Sequence, residues 1–489
     1  MSAGQLIFRN IRALALAKVV TLTTGLIATA WTARSLGPEH FGIIGFGTAF
    51  LGYALLFVNL GLSTYAVREI AHARDRNHDR APAIVDHVLT LRVLLALVSG
   101  CVYALVVLAI DKPPLVKVVL WVQAAQLLGN ALVIDFFYQG TERMSVIATR
   151  EIGTSFVTMV AVLLLVRGPD DVVTAAAITA GSILLNSLLM LVRYAREIRL
   201  PRPRTDLAVW RAMLTAAAPI GVCVFAWSVF SNLGIVMLGF MADQAQVGWY
   251  AASYKVMTLA ATGGHIILNS FLPQLAAAYD DTGRMRARMR DYATTLLLVG
   301  ALVTSTGLAL APEILMMFFG QAYAPAVHAL RLLMAALGVV YLNMVLGNPL
   351  LVWHRQTGYM TVILIGGCIN AALNAVAIPR WGIEGAATAT LMAELVCTVG
   401  LAWQHRRAVG QLYLGITAKA WGCGAVAMVT WMLLEPLLPM SIQRYPLLVL
   451  ALGGLSMALV YGLTVPFTGL VALSRLQRLV EGRRLTGLT

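Results

Sequence analysis

The strongest constraint on this chain is a succession of about fourteen apolar runs, each close to the ~20 residues a helix needs to cross a bilayer. They fall at roughly 13–33, 41–62, 88–110, 115–138, 146–166, 172–194, 212–240, 248–272, 292–311, 326–350, 359–378, 384–404, 416–438 and 447–470. The breaks are short and carry glycine, proline or charge, as in Arg34-Ser35-Leu36-Gly37-Pro38-Glu39, Asp111-Lys112-Pro113-Pro114 and Arg167-Gly168-Pro169. Charged residues make up 12% of the sequence, against about 25% in soluble domains. The chain therefore reads as an all-α membrane protein with about fourteen transmembrane helices, and little length is left for a large soluble module. The first run, preceded by Arg9 and Arg12, exceeds the ~7–15 residues of a secretory signal core and reads as a retained span.

Basic residues set the expected orientation. Most of the 36 lysines and arginines fall in alternate breaks: Arg68 to Arg80, Arg143 and Arg150, Arg193 to Arg211, Arg284 to Arg290, Arg406 and Arg407, and the arginines after 474. The opposite breaks hold Arg34, Lys112, Lys117, Arg167, Arg380 and Arg444. The positive-inside rule then puts both termini in the cytoplasm. The net charge of +14 reflects this arrangement and attraction to anionic membrane lipid, not nucleic acid. The five cysteines, Cys101, Cys223, Cys368, Cys397 and Cys423, lie inside apolar runs and read as packing residues, without disulfide or metal spacing.

Charge at membrane depth is costly and marks function by default. At 100° per residue, Lys18, Thr21, Gly25, Thr29 and Thr32 share one face of the first span. Lys255, Thr258, Thr262, His265 and Asn269 do the same on the eighth. Such lines fit helices bordering a wet cavity, although threonine and asparagine also serve helix–helix contacts. Arg92 and Arg331 lie near span ends, where snorkelling accounts for them. Glu394 and Asp135 are candidate ion-coupling carboxylates with no partner evident in the sequence. Pro219 with Gly221, and Gly263-Gly264, are candidate kinks.

The chain also repeats itself. Phe41-Gly42-Ile43-Ile44 at the second span resembles Val247-Gly248-Trp249-Tyr250 at the eighth, and Thr174 to Thr179 resembles Gly385 to Thr390 at the twelfth. Both pairs are six helices apart, which suggests parallel six-helix halves with a substrate site between them. The expected domains are 1–200, 201–410 and a pair of extra helices with a tail at 411–489.

These residues resemble a known family. Leu36-Gly37-Pro38-Glu39-His40-Phe41-Gly42, Gly61-Leu62 and Arg68-Glu69-Ile70-Ala71 look like the opening helix pair of Wzx-like polysaccharide flippases, of the MATE/MurJ-related superfamily. Further matches are Val247 to Ala252, Asn269 to Pro273, Phe319-Gly320 to Tyr323, Asn348-Pro349, Asn370 to Asn374, Ile378-Pro379, Trp381-Gly382 and Gly385 to Thr390. The resemblance covers about 34 to 400. It implies two six-helix bundles in a V that move a polyprenyl-pyrophosphate oligosaccharide for surface polysaccharide synthesis by alternating access. Cationic residues of the first and eighth helices line the cavity in the lipid II branch, positions that Lys18 and Lys255 match by helix and depth. An acidic residue found in the seventh helix of many relatives is missing from Asn232-Leu233-Gly234-Ile235-Val236.

A diphosphate brought unpaired into low dielectric costs many kcal/mol, and lysine offers a compact charge on a flexible stem. The expected substrate contacts are therefore Lys18, Thr21, Thr29, Lys255, Thr262, His265 and Asn269. Arg34 is the candidate outer mouth and Arg68 the candidate inner gate, with a surface role and pairing to Glu69 as competing readings. No cofactor or metal is expected, and no GxxxxGK[ST] motif occurs. Membrane lipids, a polysaccharide polymerase and chain-length proteins are expected partners. Three other readings stay open: a drug or cation exporter, a membrane-embedded glycan polymerase or ligase, and a scaffold subunit. Exporters would want acidic cavity walls, and the outer breaks are short for assembling an enzyme.

Overall fold

The computed structural model describes residues 3–76, 80–278, 281–353, 355–443 and 445–470. The basic residues Arg9, Arg12, Arg74, Arg76, Arg444 and those after 470, and Cys223, lie outside the side chains it describes. The described chain runs α1 (Ala3–Asn59), α2 (Leu62–Arg76), α3 (Arg80–Ala109), α4 (Pro114–Ala131), α5 (Asp135–Gly140), α6 (Met144–Leu165), α7 (Val172–Glu197), α8 (Leu207–Met241) and α9 (Gln244–Ala277). It continues with α10 (Thr282–Ala309), α11 (Ala311–Phe318), α12 (Val327–Val352), α13 (Gln356–Val409), α14 (Leu414–Leu434), α15 (Met440–Gln443) and α16 (Pro446–Thr464). No strand occurs among the described residues.

Among the described residues twelve segments are long and apolar enough to cross a membrane, and two of these exceed 50 residues. A straight helix of that length would be about 80 Å long, more than twice the ~30 Å hydrocarbon core. Each contains a non-helical glycine within a long helix. Gly37 interrupts α1 at φ 73°, ψ 172°, and Gly382 interrupts α13 at φ 52°, ψ −127°. Side chains disfavour both conformations, so glycine is what lets each helix kink there.

The surfaces are those of a chain solvated by lipid. On α3, Leu97, Val98, Val102, Leu105 and Leu108 are exposed, while Val85, Val88, Arg92, Ala96, Ser99, Tyr103 and Val107 are buried. The polar groups thus turn inward and the aliphatic ones outward, the reverse of a soluble helix. Cys397 and Cys423 are buried, but Cys101 and Cys368 are exposed. These two correct the expectation of core packing, because in hydrocarbon an apolar thiol needs no burial.

The chain forms two compact units, Met1–Ala251 and Ala252–Thr489. In the first, α1 packs on α3, α4, α6 and α8, and α4 packs on α7. In the second, α12 packs on α10 and α13, and α14 on α10 and α16. The sequence reading drew its boundary near 200, but α8 and the start of α9 cluster with the first unit. Glycine contacts explain why. A Cβ on Gly42 would stand 2.0 Å from the Gln244 carbonyl oxygen, and one on Gly248 would stand 1.9 Å from that of Pro38. Lower on α8, a Cβ on Gly221 would stand 2.7 Å from the Leu60 carbonyl oxygen. Backbone thus meets backbone, and Gly42 and Gly248, matched as repeats in the sequence, touch each other.

Candidate functional site

The eighth crossing, α9, has two opposite faces. On one, the Ala260 carbonyl accepts from the Tyr341 hydroxyl at 2.9 Å, and the Leu275 carbonyl accepts from Trp353 Nε1 at 3.1 Å. Phe271 packs on Tyr292 with ring centroids 5.7 Å apart. Gly264 lies on the same face, where a Cβ would come within 2.8 Å of the Tyr341 ring. The glycine read as a flexible point is thus the place where α12 comes close. Helical spacing puts Lys255, Thr258, Thr262, His265 and Asn269 on the other face. Lys255, Thr258, His265 and Asn269 are exposed and Thr262 is half-buried. Thr258 donates to the Lys255 carbonyl at 3.0 Å and Thr262 to that of Thr258 at 3.1 Å. With these hydroxyls engaged in their own helix, the amine, imidazole and amide keep the free donor and acceptor capacity.

The first crossing repeats the arrangement over half its length. Lys18 is exposed and Thr21 and Thr29 are half-buried, while Gly25 faces open space. Thr21 donates to the Lys18 carbonyl, Thr29 to that of Gly25 and Thr32 to that of Ala28. Thr32 is buried, so this polar line is covered where it nears Gly37. Among the described residues neither Lys18 nor Lys255 forms a hydrogen bond or an ion pair. An ammonium group left in that state at membrane depth needs water or an anion beside it.

The two candidate carboxylates have different surroundings. Glu394 on α13 accepts from Asn343 Nδ2 at 2.8 Å, and Asn343 Oδ1 accepts from the Thr398 hydroxyl at 2.8 Å. This polar knot joins α12 to α13 and contains no cation among the described residues. Asp135, in contrast, opens α5 and is held by both Nη atoms of Arg150 on α6, Nη2 at 3.0 Å. The missing partner is a residue that the sequence reading had counted only as a topological arginine. Arg92 is a correction too. It is 3% exposed and donates to the carbonyls of Asn130 and of Val133, the latter at 2.9 Å. It caps the broken end of α4 instead of snorkelling, because those carbonyls have lost their helical donors and attract a cation.

Arg34 is exposed. Arg68 is exposed as well, 3.7 Å from the Glu69 carboxylate and with its guanidinium 6.0 Å from the Tyr65 ring centre.

Sequence reasoning missed two acidic hubs at the arginine-rich end. Asp86 is fully buried; it takes Arg199 Nη2 at 2.6 Å and Arg204 Nε at 3.6 Å and the Arg202 backbone N–H at 2.9 Å. The linker between α7 and α8 is thereby clamped to α3, and hydrogen bonding to Asp86 raises the pKa of Arg199. Glu197 binds Arg143 at 2.8 Å and Arg193 at 2.9 Å. Asp86 precedes the run that begins at 88, and it was this position, just outside the apolar stretch, that hid it. At the other end Lys112 Nζ caps α8 through the Gly239 carbonyl at 2.6 Å, between the rings of Phe46 and Phe240.

Fold and polar faces together define a multi-pass helical membrane protein of transporter type. Solved structures place the fold more closely. Lipid II flippase MurJ in an inward closed conformation superposes with a TM-score of 0.71 at 13% identity, covering 93% of this chain and 98% of that one. An inward-facing multidrug resistance MATE family transporter of the MOP superfamily gives 0.63 at 15% identity, covering 82% and 98%. The sequence profile described as "Polysaccharide biosynthesis protein" matches residues 7–279, and the chain belongs to that family. A protein of Escherichia coli (strain K12) provisionally named an O-antigen transporter is 22% identical over 367 residues, 75% of this chain and 88% of that one. A Shigella dysenteriae protein with the same provisional name is 21% identical over 352 residues, 70% and 85%.

Proposed function

We propose that this protein is a flippase, not an enzyme, which carries polyprenyl-pyrophosphate-linked oligosaccharide units across the bacterial inner membrane by alternating access, for surface polysaccharide synthesis. The observation that carries this reading is the unpacked polar face of α9, with an exposed and unpaired lysine at membrane depth, in a chain whose relatives bear the name of O-antigen transporters. A shorter face of the same kind surrounds Lys18. In this reading Lys18 and Lys255 neutralise the diphosphate, while Thr21, Thr29, Thr262, His265 and Asn269 take sugar hydroxyls. Arg34 serves the outer mouth and Arg68 the inner gate. Both termini lie in the cytoplasm, and a polymerase with its chain-length proteins receives the product.

Cation export suits these faces less well, because both carry a positive charge where a cationic drug needs a negative one. Glu394 is our candidate for ion coupling, since it meets an amide and no counter-cation; Asp135, engaged by Arg150, is better placed as a brace. The deciding experiment reconstitutes the purified protein in vesicles and follows a fluorescent prenyl-pyrophosphate oligosaccharide. Wild type should move it, and Glu394→Gln should lose any response to an imposed proton gradient. Failure of wild type to transport, together with uptake of quaternary ammonium dyes, would overturn the proposal.

A further inference from the structure

A second polar region lies in the first unit, at the arginine-rich end. Three helices border a cleft of about 710 Å³, within the range of small-ligand sites. From α2 come Tyr65, Glu69 and His72, a spacing that puts them on one helical face. From α3 come Arg80, Ile84 and His87, again one face, and Val209 and Met213 of α8 add an apolar floor. The Nδ1 atom of His87 is buried without a hydrogen-bond partner. Among the described residues, the side chains of His72, Arg80 and His87 make no hydrogen bond or ion pair with protein. A cluster built only to brace the fold would satisfy these groups internally, as Asp86 and Glu197 do nearby.

The chemistry of the walls selects a class of ligand. No group of three or more His, Cys, Asp or Glu able to hold a metal occurs among the described residues. Glu69 in the wall opposes a phosphate or an anionic headgroup. A sugar ring fits all parts at once, because its C–H face can lie on Val209, Met213 or Tyr65 while its rim hydroxyls donate to Glu69 and His87 and accept from Arg80. We propose that this cleft docks one neutral sugar ring of the carried glycan on the cytoplasmic side, a position that rests on the transport reading above. Docking there holds the headgroup at the inner face before it enters the transport path, and adds selectivity for the sugar that the diphosphate cannot provide.

The test uses the full chain in lipid nanodiscs and saturation-transfer NMR. The probes are the methyl glycosides of glucose, galactose and N-acetylglucosamine, and inorganic pyrophosphate followed by phosphorus line width. At least one methyl glycoside should receive saturation from wild type. That signal should fall at least fivefold in Glu69→Ala and in Val209→Trp, which fills the floor, while Gly415→Ala, with nothing within 4 Å of its Cβ position, should retain it. Absence of transfer to every glycoside, equal transfer in the folded variants, or binding of pyrophosphate alone would overturn the docking site. Vesicle transport separates this from the wider reading. Transport by wild type with an unchanged apparent KM in Glu69→Ala removes only the cleft. Glu69-dependent sugar binding without transport removes only the flippase assignment.

Discussion

At the scale of single residues, the deciding contrast is between charges that have partners and charges that do not. Asp86, Asp135 and Glu197 are each held by arginine, and Arg92 by carbonyls, so these groups stabilise the fold. Breaking a buried pair typically costs about 3–5 kcal/mol. Asp86→Ala should therefore lower the Tm of the purified protein by several degrees and expose the α7–α8 linker to protease; an unchanged Tm would show that the linker needs no clamp. The partners could not be read from the sequence. Arg199 lies far along the chain from Asp86, and Arg150 is separated from Asp135 by a turn whose geometry is not encoded locally. Lys18 and Lys255 were legible because a charge inside an apolar run stands out by itself, and the polar line of α9 because helical periodicity fixes which residues share a face.

For the helices as elements, the bilayer supplies most of the information. Every crossing must satisfy its own backbone in hydrocarbon, which forces apolar runs of a nearly fixed length and made the helical membrane fold readable. The breaks were also legible, since Gly37-Pro38 and Trp381-Gly382 announce themselves as turns. What the sequence hid was the closeness of approach at Gly42 and Gly248, because alanine-rich helices offer many glycines and only contact tells which are required. Overpacking typically costs about 1–3 kcal/mol, and both positions already touch backbone. Gly248→Ala and Gly42→Ala should thus each lower thermal stability by about that much, whereas Gly415→Ala, with nothing within 4 Å of its Cβ position, should not. Equal effects at all three sites in a differential scanning assay would contradict the contact.

For the molecule as a whole, orientation and charge lead to the central claim. In the proposed topology the arginines of the α7–α8 linker and the residues around Arg34 lie on opposite sides of the membrane. In a cysteine-free background, Arg196→Cys in spheroplasts should resist a membrane-impermeant maleimide until the membrane is permeabilised, and Lys117→Cys should react at once. The reverse pattern would invert the topology. The function then depends on whether two amines lower the cost of moving a diphosphate through a low-dielectric space. The most direct measurement compares, in vesicles, transport of one oligosaccharide linked to prenyl diphosphate and to an uncharged prenyl carrier, in wild type and in the Lys18→Ala, Lys255→Ala double variant. A loss of about 1.4 kcal/mol of preference corresponds to a tenfold change in ratio. We predict that wild type favours the diphosphate at least tenfold and that the double variant, present at normal abundance, does not. An identical preference in both proteins would contradict the account.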